Sequence, residues 1–519
     1  MTGAIVEPVL LAEVVETSTR LAATRSRKAK TAALAELLSR VAGAPDDEVR
    51  TVTSYLAGSL RQRRTGLGWR SLSALPEPAT EPTLSVTEVH EAFEGIASLS
   101  GAGSATARAA ATADLFGRAT IEEQAWLRGL VTGEVRQGAL DSLVQEGLAA
   151  AGDVPLAAVR RAAMMAGSTV AVAPAALNGG EEALAQFGLE VMRPVLPMLA
   201  SSATTVEAAM AKAGAPVAID TKLDGIRIQV HRRGDDVLVA TRSLETITER
   251  LPEVVEVARS LSATSFVLDG EVLALDDAGR PRPFQETASR TASAAGVHLT
   301  PYFFDLLHLD GEDLVDSPAS ERLAALARLV PPEHLVARLE TDDLADAEAF
   351  VADVLARGHE GVVVKHLAAP YDAGRRGSAW VKVKPVHTLD LVVLAVEWGS
   401  GRRRGWLSNI HLGARDTSGA GDGFVMLGKT FKGMTDEMLA WQTERFLELE
   451  THREDHVVHV RPEQVVEIAI DGLQRSTRYP GGLALRFARV VRYRDDKSAA
   501  EADTIDTVRA LASPPDTPV

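Results

Sequence analysis

The sequence predicts a multidomain protein in which an all-α region precedes an α+β region and a smaller all-β region. Its 519 residues suit about three domains of ordinary size. Helical apolar spacing gives way after Gly188 to alternation typical of strands, and a run of short strands with little helix follows residue 386. The predicted domains are 1–189, 190–386 and 387–510, followed by a disordered tail at 511–519 that holds three prolines.

The first region is rich in Ala and Leu, and its apolar residues recur with helical periodicity. Leu34, Leu37, Leu38 and Val41 show this spacing. Breaks that contain Gly and Pro divide the region into several helices. These breaks lie at 43–45, 76–82 and 152–155.

The second region begins with a predicted antiparallel hairpin. Ile226, Ile228 and Val230 alternate with polar residues, so the polar side chains are expected on the other face. Gly234 and Asp235 form the turn to the return strand.

The third region is predicted to be a small β-barrel, because five short β-rich segments follow one another with little helix between them. The five segments are 391–396, 410–412, 424–427, 457–460 and 465–470.

The chain contains no cysteine, which excludes disulfides, thiol nucleophiles and cysteine-ligated zinc. Its twelve histidines show no H-E-x-x-H pair or similar ligand spacing, so no transition-metal centre and no zinc are predicted. Mg²⁺ bound by carboxylates is the favoured metal.

The composition predicts a soluble cytoplasmic protein. No apolar stretch approaches the roughly 20 residues that cross a bilayer, and the N-terminus lacks the pattern of an export signal. The net charge of −16 disfavours a polyanionic partner, but phosphate binding depends on local clusters of Lys and Arg. One such cluster is 402–404, for which a solvated loop is the alternative interpretation.

Seven short strings in fixed order carry the chemical information. The first, T-K-L-D-G-I-R, contains a K-x-D-G pattern that alone would also suit a surface turn. Together the strings resemble the nucleotidyltransferase motifs of ATP-dependent DNA ligases, and the last resembles the C-terminal motif of that family. They lie at 221–227, 241–245, 267–271, 303–306, 359–365, 380–385 and 486–497.

The resemblance also covers W-L-R-G-L-V-T-G-E-V-R-Q-G-A-L at 126–140, which is similar to part of the helical DNA-binding domain of larger ligases. It implies an α+β nucleotidyltransferase core with ATP-grasp-like antiparallel sheets, followed by an OB-fold. It further implies ATP and Mg²⁺ or Mn²⁺ as cofactors, nicked duplex DNA as substrate, a monomeric enzyme, and DNA contacts at Gly133, Arg136 and Gly138.

Lys222 is the predicted nucleophile for the α-phosphorus of ATP. An amine attacks only when it is unprotonated, and an ordinary lysine pKa of about 10.4 leaves little of that form at neutral pH. Lys382 and Lys384 alternate along a predicted strand, so both point to one face, where they could disfavour another cation and hold the α-phosphate. A solvated strand face is the alternative.

Glu271 and Glu360 are the candidate metal and ribose contacts, because Mg²⁺ prefers carboxylate oxygens. Each has an ordinary alternative as a surface acid. Phe304 is expected to stack on the adenine, although a buried core phenylalanine is the alternative interpretation.

Further roles follow from the resemblance alone. Asp224 would assist chemistry after adenylation, Arg227 would contact the ribose, and Arg242 would hold a phosphate. Asp220 stands where a glutamate often contacts the adenine amino group. The groups that orient the leaving pyrophosphate would be Arg486, Arg489, Arg494 and Lys497.

One motif match is rejected. G-F-V-M-L-G-K-T at 423–430 fits the phosphate-loop pattern G-x-x-x-x-G-K-[ST]. Such a loop must join a strand to a helix N-terminus, whereas the middle residues here are strand-like and Gly433 interrupts any following helix. The segment is predicted to be a barrel strand and turn.

Three alternatives to a DNA ligase that uses ATP remain. An RNA ligase or capping guanylyltransferase shares the lysine chemistry but has no need of the long helical region. An NAD⁺-dependent DNA ligase carries a cysteine-ligated zinc module that this chain cannot build. A catalytically silent protein that binds nicks would not need the lysine and both glutamates.

Overall fold

The computed structural model describes residues 7–135, 137–138, 141–292, 296–372, 376–384, 386–417 and 423–512. The first region is helical and packs around one apolar core. Its helices α1 to α10 are Leu11–Ala23, Arg27–Arg40, Asp46–Leu56, Val86–Ser98, Ser104–Gly117, Ile121–Thr132, Asp141–Ala151, Leu156–Ala166, Thr169–Pro174 and Gly180–Ala185. None of the helices that the structure describes is long and apolar enough to cross a membrane.

Helix α6 shows how the sequence sets a helix end in this region. The Thr120 side chain accepts a hydrogen bond from the Glu123 amide, and the Glu123 carboxylate accepts one from the Thr120 amide. Gly133 ends the helix with a φ of 70°, a left-handed conformation that glycine adopts at low cost. Gly133, a predicted DNA contact, therefore has a structural role as the residue that ends α6.

The second region contains two sheets flanked by helices. Its strands β1 to β10 are Leu199–Ala203, Val217–Lys222, Ile226–Arg233, Asp236–Thr241, Ser265–Ala274, Leu299–Leu309, Glu312–Asp313, Arg338–Thr341, Gly361–His366 and Arg376–Val383. Its helices α11 to α15 are Val206–Ala213, Pro252–Ser260, Phe284–Ala292, Ala319–Leu329 and Leu344–Ala356.

The two sheets have the strand orders β1-β10-β9-β2-β8 and β4-β3-β5-β6-β7. Neighbouring strands are antiparallel except β1 and β10, which are parallel. Apolar side chains pack between the sheets and beneath the helices that cover them. Strand β2 ends in the first sheet where β3 begins in the second, so the K-x-D-G segment connects the two sheets.

The predicted hairpin is confirmed as β3 and β4, and it belongs to the larger second sheet. Gln229 and His231 on its polar face are buried. Gln229 accepts a hydrogen bond from the Val195 amide at 2.8 Å, and His231 accepts one from the Met192 amide at 3.1 Å. The segment that precedes β1 therefore covers this face, a long-range contact that strand periodicity does not report.

The third region is rich in β-structure. Its strands β11 to β19 are His387–Trp398, Leu407–Arg415, Phe424–Thr430, Glu450–Glu454, Val457–Val460, Val465–Ile470, Gly472–Arg475, Leu483–Arg486 and Arg489–Tyr493, and its helices α16 and α17 are Asp436–Glu448 and Ile505–Ala512. Seven strands form one sheet, and β17 pairs with β18 in a separate pair.

All five predicted strands of the third region are present, and the rejected phosphate-loop match at 423–430 is mostly strand β13. Strands β14, β17, β18 and β19 and the 13-residue helix α16 were not predicted. Charged residues occupy much of β14 and β19, so these strands lack the apolar runs on which the prediction depended.

A buried ion pair ties α14 to strand β6. The side chains of Arg322 and Asp305 are both 0% exposed and form hydrogen bonds of 2.8 and 3.0 Å. Arg322→Met leaves the Asp305 charge without this partner, so we expect a loss of about 3–5 kcal/mol in the free energy of unfolding. Denaturant unfolding measures it. The exposed Arg328→Met on the same helix is the control, and an equal loss in both variants would contradict the assignment.

Candidate functional site

A cavity of about 720 Å³ lies where the two sheets of the second region meet, beside β18 of the third region. Its volume is in the range of pockets that enclose a molecule the size of a nucleotide. Ten of the predicted site residues line it. They are Asp220, Lys222, Asp224, Arg227, Arg242, Glu271, Phe304, Glu360, Lys382 and Arg486.

Lys222 is the last residue of β2, where the sheet delivers it to the cavity. It pairs with Gly361 on β9, and this register places the neighbouring Glu360 against the Lys222 ammonium group. Gly225 is required just beyond, because an added Cβ would lie 2.3 Å from the Val272 carbonyl oxygen. The glycine of K-x-D-G therefore lets the turn pack against β5.

Glu271 projects from β5 into the same cavity, and its carboxylate accepts a hydrogen bond from the Gly225 amide at 2.8 Å. Burial raises the pKa of Glu271 to about 7, against the opposing effects of the Lys222 charge and the Gly225 hydrogen bond; the nearby Glu360 charge raises it further. Two carboxylates that destabilise each other's charge in one cavity suit a hard divalent cation. The oxygens of Glu271 and Glu360 therefore fit Mg²⁺ or Mn²⁺.

The raised pKa of Glu271 should make the stability of the folded chain depend on pH. The pKa of Glu271 is about 7 in the folded chain, against 4.5 for an ordinary glutamate. Its contribution to the free energy of unfolding is therefore fully present below pH 4.5 and is lost as the pH rises through 7. Glu271→Gln removes the titration, so we expect it to raise stability by about 3 kcal/mol at pH 8 and to leave it nearly unchanged at pH 4.5.

Thermal unfolding of the metal-free and nucleotide-free chain at the two pH values tests this prediction. Glu256→Gln, an exposed change on α12, is the control. A Glu271→Gln effect of the same size at both pH values would contradict a raised pKa.

Lys382 lines the cavity from β10, whereas Lys384 lies one residue beyond the strand. Lys384 contacts Asp471 and donates a hydrogen bond to Glu360 at 3.2 Å. Burial alone would lower the pKa of Lys384, but hydrogen bonds and charges of Asp471 and Glu360 raise it above its usual value. Lys384 is therefore compensated by two acids, one of which, Glu360, also contacts Lys222.

The aromatic wall of the cavity is formed by Phe304 and Trp380, which meet edge to face at 5.9 Å. The neighbouring Phe303 is buried in the core, so it is Phe304 that faces the cavity. The Lys365 ammonium group lies 4.8 and 4.3 Å from the two ring centroids. This wall offers a flat aromatic surface to a planar base.

Two predicted nucleotide contacts already have protein partners. Both Asp220 oxygens are held by Arg338, at 2.5 and 2.9 Å, and Lys365 lies 2.8 Å away. Burial would raise the pKa of Asp220, but these two cations hold it below its usual value. Arg227 likewise donates two hydrogen bonds to Asp269, at 3.0 and 2.6 Å. The Asp220 carboxylate thus anchors the cavity floor in this structure.

The third region reaches the cavity through Arg486. Its guanidinium group donates a hydrogen bond to Asp224 at 2.8 Å, and Arg489 lies 3.2 Å from Asp471. Among the residues that the structure describes, Arg494 and Lys497 lie outside the cavity lining. The four predicted pyrophosphate groups are therefore not brought together.

Arg494 and Lys497 share one partner instead. Arg494 lies 3.0 Å and Lys497 2.6 Å from Asp390 on β11. The Asp390 amide also donates a hydrogen bond to the Asp503 carboxylate at 2.8 Å. This cluster holds the end of the C-terminal motif within the barrel.

Of the predicted DNA contacts, Arg136 lies outside the described residues. Gly138 has a φ of 62°, and Lys30 donates hydrogen bonds to the carbonyls of Gln137 and Gly138 at 2.9 and 3.2 Å. The Val135 side chain lies against Gly58, just after α3. Val135 and Gln137 therefore pack beside Gly58, which precedes segment 61–70.

Residues that the prediction left without a role complete the cavity, chiefly Lys365, Trp380, Phe284 and Phe487. Lys365 and Trp380 belong to the sequence strings at 359–365 and 380–385, so the resemblance of those strings could have indicated them. Phe284 and Phe487 approach the cavity from α13 and the third region, and the Arg486 guanidinium lies 5.4 and 5.9 Å from their rings. Nothing in their sequence spacing indicates that contact.

Comparison with known families gives three matches along the chain. Residues 70–149 match the family described as DNA ligase N terminus. Residues 197–384 match the ATP dependent DNA ligase domain, and residues 403–497 match the ATP dependent DNA ligase C terminal region.

Similar proteins cover nearly the whole chain. A protein named Probable DNA ligase from Nocardioides sp. is 74% identical over 508 residues, which are 97% of this chain and 99% of that protein. Proteins of the same name from Kineococcus radiotolerans and Beutenbergia cavernae are 67% and 66% identical, each over 97% of this chain and over 100% and 99% of their own length. A solved structure named Pmar-Lig_PreS3 shares the fold, with a TM-score of 0.62, 18% identity, and coverage of 93% of this chain and 99% of that chain.

Proposed function

The chain belongs to the ATP-dependent DNA ligase family, and on that premise we propose that Lys222 carries the AMP group with which it seals nicks in duplex DNA. The enzyme uses ATP and a divalent metal ion, and it works through a covalent lysyl-AMP and a DNA-adenylate. The observation that carries the assignment of Lys222 is its position at the end of β2, in one cavity with two carboxylates and an aromatic wall.

In the first step the Lys222 amine attacks the α-phosphorus, a P–N bond forms, and the bond to the β-phosphate oxygen breaks to release pyrophosphate. In the structure the Lys222 ammonium is paired with Glu360, and an ammonium group has no free electron pair. Lys222 must therefore lose a proton before attack, and the Glu360 carboxylate in contact with it is placed to accept that proton. Glu271 and Glu360 would hold a divalent cation, which would supply positive charge to the phosphoryl oxygens.

Phe304 and Trp380 are proposed to receive the adenine, while Arg242 and Lys382 are proposed to contact phosphate groups from the rim of the cavity. Arg227 reaches the cavity while held by Asp269, which fixes its orientation for a ribose contact. Fixed groups of this kind position the phosphorus for in-line attack without reorganisation at the moment of reaction.

The Asp224–Arg486 ion pair holds the third region over the cavity. While this pair lasts, the Asp224 carboxylate is occupied by Arg486. We propose that Asp224 acts in the DNA-dependent steps only after Arg486 has moved away. Arg494 and Lys497 would approach the leaving pyrophosphate through a related movement of the third region, because they now lie at Asp390.

The helical region is proposed to bind the DNA backbone through segment 61–70, which follows Gly58, the residue beside Val135 and Gln137. Arg63, Arg64 and Arg70 are exposed there, and the exposed Trp69 lies among them. A local cationic surface of this kind binds phosphates even when the chain as a whole is acidic.

Replacing both Arg63 and Arg64 with alanine should weaken binding to nicked and intact duplexes by a similar factor, since phosphate contacts carry no sequence or nick information. We expect the slope of log K against log salt to become less negative by about 2. Arg357→Ala, an exposed change directly after α15, serves as the control. A salt slope that stays the same in the double variant would exclude these phosphate contacts.

Incubation with α-labelled ATP, GTP or labelled NAD⁺, followed by addition of nicked DNA, tests the proposed function. Label should transfer to the chain from ATP alone and should then leave it when nicked duplex DNA is added. Stable labelling from GTP would favour a capping enzyme, and labelling from NAD⁺ would favour the other class of DNA ligase.

We further propose that the enzyme acts as a monomer in the cytoplasm, in association with the nucleoid that holds its substrate. The proposed chemistry requires no zinc. Sedimentation of the chain with and without nicked DNA tests the monomer, which would be refuted by a dimer that forms before DNA is bound.

A further inference from the structure

Two histidines and a glutamate come together on one face of the third region, away from the sequence strings described above. His452 and Glu454 lie two residues apart on β14, so their side chains share a face. The pairing of β14 with β15 sets His459 directly opposite His452. Their ligand atoms all lie within 4.8 Å of one another.

The distances suit an ion between these groups better than direct hydrogen bonds. Nε2 of His452 lies 3.9 Å from Glu454 Oε1, and Nε2 of His459 lies 3.7 Å from Glu454 Oε2. Both distances are too long for hydrogen bonds. Ligand atoms that surround one tetrahedral zinc ion are separated by about 3.4 Å, as follows from bond lengths near 2.1 Å. A shift of about half an ångström or less would bring each imidazole nitrogen to that spacing from the Glu454 carboxylate.

The two imidazole rings are stacked in parallel, 5° apart in plane and 4.3 Å between centroids, and each Nε2 atom lies within 4 Å of Glu454. Imidazole ligates through an electron pair in the ring plane, so one ring must turn for both nitrogens to bind a shared ion. The Nδ1 atom of His452 lies 3.1 Å from the Thr451 hydroxyl oxygen. A donor hydrogen bond from Nδ1 leaves the Nε2 electron pair free for a metal, as in many metal-bound histidines.

We propose that His452, Glu454 and His459 form a surface site for one divalent transition-metal ion such as Zn²⁺. Imidazole nitrogen with one carboxylate selects ions of this class, whereas Mg²⁺ prefers oxygen ligands alone. Strand β14 is at the edge of its sheet, so the ion clips this edge strand to β15. No such centre is predicted from the sequence, because the ligands meet through strand pairing and not through a local motif.

Titration of the full chain, free of any histidine tag, with Co²⁺ and Zn²⁺ in excess Mg²⁺ tests the site. The Mg²⁺ occupies carboxylate sites, Co²⁺ is followed by its visible absorption, and Zn²⁺ by calorimetry. One equivalent of each ion should bind, and Zn²⁺ should raise the Tm. His459→Gln and Glu454→Gln should each weaken binding roughly tenfold or more.

The matched control is His456→Gln, an exposed histidine in the turn between the same two strands. It should bind both ions like the unaltered chain, and all three variants should adenylate normally. The proposal is overturned if the chain binds neither ion stoichiometrically. It is equally overturned if His459→Gln and Glu454→Gln bind as tightly as the control. Neither result bears on Lys222 or on nick sealing.

Discussion

Replacing Lys222 with alanine is expected to abolish formation of the covalent adenylate, with a loss of at least about 10⁴-fold in its rate. The covalent bond to phosphorus forms at the Lys222 nitrogen, and alanine has no side-chain nitrogen that could replace it. The Lys222→Arg variant should form no adenylate either, although the arginine guanidinium can still pair with Glu360. The rate of label transfer from α-labelled ATP measures both losses.

The fold should survive these changes, because Lys222 lies at a strand end with its side chain partly exposed to the cavity. Lys212→Ala, on α11, is the control for general effects on the labelling assay. Both Lys222 variants should still seal nicks that carry a preformed DNA-adenylate, although more slowly. A labelled covalent adduct on either variant would contradict the role of this amine.

Lys497→Ala is expected to slow self-adenylation about a hundredfold while slowing the sealing of pre-adenylated nicks only a few-fold. A cation that stabilises the leaving pyrophosphate acts in the first step alone, and one such electrostatic contact is worth roughly this factor. Lys497 now pairs with Asp390, away from the cavity, so the effect also reports that the third region moves during the first step.

Arg492→Ala is the matched control for Lys497, because Arg492 lies in the same C-terminal string, is 63% exposed, and pairs with Glu467 on the barrel. It should slow neither step. Equal losses of self-adenylation and sealing in Lys497→Ala would mean that Lys497 serves the barrel structure through Asp390. Single-turnover rates for the two steps distinguish these outcomes.

The sequence predicted the contents of the cavity better than the contacts within it. Lys222, Glu271, Phe304 and Glu360 were chosen from short strings, and the structure brings them to one cavity. This was possible because each string combines a chemically necessary side chain with a local backbone requirement, as Gly225 shows beside β5.

The contacts that escaped prediction are long-range consequences of topology. Asp220 meets Arg338 because β2 pairs with β8, and Lys384 meets Asp471 because the third region packs on the second. Neither partner is indicated by spacing along the chain. The same holds for the buried polar face of β3, which is covered by the segment before β1.

The Lys222 amine itself is expected to form the bond to AMP. Mass spectrometric mapping of the chain after incubation with ATP and Mg²⁺ tests this expectation, with the digestion kept at a pH that preserves P–N bonds. An AMP adduct should appear on the peptide that contains Lys222, with fragment ions that place it on that side chain and with loss of the adduct after nicked DNA is added. An adduct on any other residue, or sealing of nicks with no protein-bound AMP at any time, would contradict it.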